Sequence, residues 1–89
     1  MKTKELLIEE LDVVTQKQKN LMVYNDHVNS FEFVIETLVK VCHHELLQAE
    51  QCTHIIHYNG RCAVKAGSYK QLEPLCIKLL NLGLTAQIE

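Results

Sequence analysis

Tryptophan is missing from this sequence, and in 89 residues proline occurs once and glycine three times. So few chain breakers exclude a collagen-like, low-complexity or linker-rich protein, and three scattered glycines do not make a phosphate-cradling loop. Basic charge is scarce as well. Nine Lys and Arg against eleven Asp and Glu leave a net charge of −2, with no stripe of cations to neutralise nucleic-acid phosphates. Long apolar runs are absent too. The opening Met1-Lys2-Thr3-Lys4-Glu5-Leu6-Leu7-Ile8-Glu9-Glu10 carries one short apolar patch before two acids. That is too little for a signal-peptide core, and no later run approaches a membrane span. The expectation is a cytoplasmic protein with neither nucleic-acid nor membrane partners. Cys42, Cys52, Cys62 and Cys76 are then read as reduced thiols. No nucleophile–base–orienter set is visible, so neither catalysis nor a cofactor is expected.

What is present is a chain 47% hydrophobic, enough for one small domain with its own core. Residues 1–20 mix charge with short apolar patches and end in the polar Thr15-Gln16-Lys17-Gln18-Lys19-Asn20. They are read as a flexible N-terminal arm ahead of a compact domain at residues 21–89. A strand is predicted over 21–25. Asn29 and Glu32 have capping-box spacing, and Phe31, Val34, Ile35, Leu38 and Cys42 then recur at helical intervals. A second helix is predicted from Glu45-Leu46 to the glycine stop at Asn59-Gly60, with Leu46, Ala49, Cys52, Thr53 and Ile56 as its stripe. Residues 61–66 alternate as a half-buried strand, with Cys62, Val64 and Ala66 on one face. Ser68 and Gln71 suggest another capping box. Pro74 belongs in a first turn, which places the start of the third helix at Lys70 or later. Gly83 stops that helix, and Leu84, Ala86 and Ile88 alternate in a last strand. The order β-α-α-β-α-β implies an α+β sandwich: a three-stranded, mainly antiparallel sheet with three helices packed on one face.

Three constellations stand out. Asn25 and Asp26 follow the first strand, and His57 lies on the last turn of the second helix. If that strand docks beside that helix, an amide oxygen, a carboxylate and an imidazole nitrogen converge as acceptors for a protonated primary amine. The plain alternative is a turn and a histidine paired with a helix dipole. Phe31 and Val34 on the first helix, with Thr53 and Ile56 on the second, are either ordinary core or a hydrophobic cup beside the amine group. The His and Cys residues invite a zinc reading. However, the first three cysteines are ten apart, no Cys-x-x-C occurs, and His54 with His57 supplies only half a site.

Tyr24-Asn25-Asp26-His27, Phe31-Glu32-Phe33-Val34-Ile35 and Ile56-His57-Tyr58-Asn59-Gly60 together resemble the ClpS family of Clp protease adaptors over residues 21–89. The resemblance implies a non-catalytic adaptor that binds the N-terminal residue of N-degron substrates. It would deliver them to a Clp-type AAA+ unfoldase, ClpA- or ClpC-like, with its ClpP peptidase. By position, Asn25, Asp26 and His57 would hold the free α-amino group. Asn29, Phe31, Val34, Thr53, Ile56 and Leu84 would form the side-chain pocket, and the arm before residue 20 would be engaged by the unfoldase. The chain departs from the family pattern at His27, where a second Asp is usual, and at Phe31 and Thr53, where Met is usual. Asn29-Ser30 stands in place of Thr-Pro. A smaller wall at Thr53 beside a bulky Phe31 implies preference for aromatic first residues over Leu. The rival readings are a protein-docking module of the same fold without N-degron binding, and a small His/Cys metal-binding protein.

Overall fold

The computed structural model describes residues 17–89, so the arm assigned to residues 1–20 lies, as far as residue 16, outside the described residues. The elements run β1 (Gln18–Tyr24), α1 (Phe31–Cys42), α2 (Leu46–Asn59), β2 (Arg61–Ser68), α3 (Tyr69–Asn81) and β3 (Thr85–Ile88). The three strands form one sheet in the order β2-β1-β3, with both pairings antiparallel. The architecture is the α+β arrangement expected from the sequence.

β1 begins three residues earlier than predicted. Gln18 and Lys19 pair with Ser68 and Gly67, and the Asn20 backbone exchanges two hydrogen bonds with Glu89, at 2.7 and 2.8 Å. Ladder partners distant in sequence thus recruit polar residues that local propensity assigns to the arm. Leu21 and Val23 of β1 are buried, together with Leu38 and Cys42 of α1, Ala49 and Ile56 of α2, Val64 of β2, and Leu72 and Leu79 of α3. The central strand therefore carries the core, and the helices bury their stripes against it.

Three local expectations are corrected. Ser30, not Asn29, caps α1: its hydroxyl accepts from the Phe33 N–H at 3.1 Å. Asn29 has other partners, described below. The β1–β2 register shifts between Leu21 and Met22, which pair with Lys65 and Ala63 and leave Val64 as an extra residue. This bulge resets the alternation, so Ala66 is exposed rather than on the buried face with Val64. Lys65 then reaches toward α1 and donates to the carbonyl of Cys42, the last residue of that helix, at 3.3 Å. Finally, α3 starts at Tyr69 on the Ser68–Gln71 capping box, which makes Pro74 an interior residue. Its missing N–H faces solvent, where water can serve the carbonyl that it leaves unpaired.

Candidate functional site

The candidate site is built on the turn between β1 and α1. The Asn25 N–H donates to the Gly60 carbonyl at 2.8 Å. Gly60 is the left-handed cap of α2 (φ 94°), and its own N–H returns to Ile56. The end of β1 is therefore fastened to the last turn of α2, which carries His57.

Asp26 organises the turn itself. One carboxylate oxygen, Oδ1, accepts from the backbone N–H groups of Val28 and Asn29, both at 2.9 Å. The other, Oδ2, accepts from the Asn29 side-chain amide at 2.8 Å. Partial burial pushes the Asp26 carboxyl up. The Asn29 and Val28 donors, with His27 nearby, outweigh it and hold the group below the ordinary carboxylate value of 3.8. The Asn29 amide also donates to the Gly83 carbonyl at 2.8 Å, across 54 residues of sequence. That bond seats the turn against the α3–β3 corner, next to buried Leu84.

The apolar residues occupy the facing sides of α1 and α2. Val34, Thr53 and Ile56 are 9%, 2% and 3% exposed. The Thr53 hydroxyl donates back to the Ala49 carbonyl at 2.7 Å, so its polarity is satisfied within the helix. Phe31, half-buried at the start of α1, lays its ring 4.8 Å from His54 and 6.3 Å from His57, both edge to face. Val34, Thr53 and Ile56 are therefore packed between the two helices, with Phe31 at the edge of that cluster. Surface cavities are found elsewhere, such as one of about 330 Å³ bordered by Asn20, Cys42, His44, Gln48 and Lys65.

The ring cluster beside Phe31 also contains His54 and Tyr58, which in the sequence read only as half a metal site and as part of the Ile56–Gly60 phrase. Yet spacings of three and four residues place His54, His57 and Tyr58 on neighbouring positions of one helix surface. His54 stacks on Tyr58 with ring centroids 5.9 Å apart and planes 7° from parallel, and His57 meets Tyr58 edge to face at 5.1 Å. Among the described residues no three His, Cys, Asp or Glu side chains come together to hold a metal ion, and no helix is long and apolar enough to cross a membrane. The four cysteines are free. Burial pushes the Cys42 thiol up to about 11, and burial beside Cys52 raises Cys62 as well.

The family model described as "ATP-dependent Clp protease adaptor protein ClpS" matches residues 14–87. The ATP-dependent Clp protease adapter protein ClpS of Campylobacter jejuni subsp. jejuni (strain 81-176) is 31% identical over 88 residues, covering 92% of both chains. That of Campylobacter jejuni subsp. doylei is 32% identical over the same span and coverage. In fold, the chain superposes on Agrobacterium tumefaciens ClpS2, solved bound to L-phenylalaninamide, with a TM-score of 0.79 at 21% identity over 83% of this chain and 96% of that one. A family match over most of the sequence, with relatives aligned nearly end to end, means that this chain belongs to the ClpS family of ATP-dependent Clp protease adaptor proteins.

Proposed function

We propose that this protein is a cytoplasmic N-degron adaptor: it binds the free α-amino group and bulky first side chain of substrates and passes them to a Clp-type AAA+ unfoldase, ClpA- or ClpC-like, coupled to ClpP. The observation that carries the reading is the Asn25 N–H to Gly60 carbonyl bond, which joins the Asn25–Asp26 turn to the end of the helix bearing His57. An α-ammonium group has three N–H donors. An amide oxygen from Asn25, the remaining acceptor direction of Asp26 Oδ2 and a neutral His57 nitrogen are the complement it requires. Each such charge-assisted bond contributes about 1.5–3 kcal/mol. The first side chain would then insert among Val34, Thr53, Ile56 and Leu84, passing Phe31. With its amide N–H groups committed to Asp26 and Gly83, Asn29 keeps its carbonyl oxygen to accept a peptide N–H. Phenylalaninamide, the ligand of Agrobacterium ClpS2, combines a free α-amine with an aromatic side chain, and the departures at Phe31 and Thr53 favour such aromatic first residues here. Residues 1–16 would be the part that the unfoldase engages.

The deciding experiment is a fluorescence-anisotropy titration with peptides that differ only in the first residue, each in free and N-acetylated form. Free Phe, Tyr, Trp and Leu peptides are expected to bind, with Phe tighter than Leu, and acetylation should abolish binding. Binding that survives acetylation would identify a docking module without an amine site. Equal or tighter binding of the Leu peptide would remove the aromatic preference alone.

A further inference from the structure

Phe31 is the first residue of α1, and its half-buried ring meets α2 edge to face at His54 and His57. The closer contact is with His54, the residue after buried Thr53. That imidazole is itself backed by Tyr58, whose ring lies nearly parallel to it at 5.9 Å. Both rings stand in solvent, Tyr58 at 76% exposure, so neither is needed to fill the core. A freed Phe31 side chain would redistribute among staggered rotamers, because the first turn of a helix has no preceding turn to confine it.

We propose that His54 is a positioning residue for first-residue selectivity: backed by Tyr58, it holds the Phe31 ring at the edge of the Val34–Thr53–Ile56 cluster in the orientation that favours an aromatic first side chain over an aliphatic one. This rests on the N-degron reading above and deepens it. A ring fixed at that position offers an entering aromatic side chain an edge-to-face or offset partner, which adds to simple burial. To Leu it offers burial alone. A rotating ring offers both the same average surface. His54 therefore acts through Phe31 and not on the ammonium group, which is left to Asn25, Asp26 and His57.

The test compares the native protein with His54→Ala and His54→Phe, titrating free and acetylated Phe-first and Leu-first peptides. In the native protein the Phe peptide binds tighter. In His54→Ala the ratio of the Leu and Phe dissociation constants is expected to fall by about two- to tenfold, the range of one aromatic pair contact. Acetylation should still abolish binding. His54→Phe retains an edge-to-face partner and should restore the ratio, an outcome that a merely structural role for His54 does not produce. Tyr58→Ala should shift the ratio in the same direction by less. An unchanged ratio in His54→Ala, or equal weakening of both peptides, overturns the proposal while leaving the amine site intact. If the native protein binds no free-amine peptide at all, the N-degron reading fails and this inference falls with it.

Discussion

In the proposed site Asp26 would serve two purposes with one carboxylate. Two backbone amides and the Asn29 side chain already occupy three of its acceptor directions, so the group is rigid before any ligand arrives. Replacing it with Asn keeps an oxygen for the turn but removes the charge. Peptide affinity is expected to drop by about ten- to hundredfold, or 1.5–3 kcal/mol, measured by anisotropy. His27→Ala should change affinity far less, because Asp26 is the carboxylate that the turn retains. The pH dependence separates Asp26 from His57. With its folded pKa below 3.8, Asp26 stays ionised above that value and loses its contribution only as pH falls through the lowered pKa. An imidazole accepts only while unprotonated, so an acid loss of binding that His57→Gln removes would identify His57 as an acceptor. The native profile should fall in acid, and that of His57→Gln should be weaker but flat. A sloping His57→Gln profile would assign the acid effect to another group. Cys42 titrates in the opposite range. Its thiol is raised from 9.0 to about 11, so its share of stability is complete below pH 9 and is lost as pH rises toward 11. Iodoacetamide at pH 8 should modify Cys42 roughly a hundredfold more slowly in the folded than in the unfolded protein, followed by mass spectrometry.

The elements show where local signals suffice. Each helix and strand has a period that its own residues reveal, which is why the order β-α-α-β-α-β and the stops at Gly60 and Gly83 could be read directly. Phase shifts have no such signature: nothing in Arg61–Ser68 announces the bulge at Val64 that turns Ala66 outward. The choice between Asn29 and Ser30 as helix cap was likewise decided elsewhere, by the Gly83 carbonyl that draws the Asn29 amide away. At the site, side-chain chemistry singled out Asn25, Asp26 and His57. The His54–Tyr58 and His57–Tyr58 pairs lie within one stretch, but the Phe31 ring meets them only through the way α1 crosses α2, which no single stretch encodes. Two substitutions test this account of α1 and α3 by thermal or urea denaturation. Ser30→Ala removes the α1 cap and should cost about 1 kcal/mol. Pro74→Ala restores an N–H to the exposed middle of α3 and should stabilise by about 1–2 kcal/mol. The intrinsic helix penalty of proline, about 3 kcal/mol, is partly offset by the entropy that its ring removes from the unfolded chain.

For the whole molecule, binding and delivery should be separable. The turn is anchored at two places, Gly60 at the end of α2 and Gly83 at the α3–β3 corner, so every side of the site belongs to the folded body. That body closes on itself through the Asn20–Glu89 exchange and through the Glu89 carboxylate, which accepts from the Tyr24 hydroxyl and lies 3.8 Å from Arg61. None of these bonds involves residues 1–16. A protein beginning at Lys17 should therefore keep its melting temperature within a few degrees and bind free-amine peptides within about twofold of the full chain, since the bonds that anchor the turn lie within residues 17–89. With the unfoldase and peptidase present, the same truncation should abolish adaptor-dependent degradation of a Phe-first reporter. Degradation that persists would move delivery into residues 17–89. Lost peptide binding would mean that the first sixteen residues help to build the amine site, contrary to the anchoring of the turn at Gly60 and Gly83.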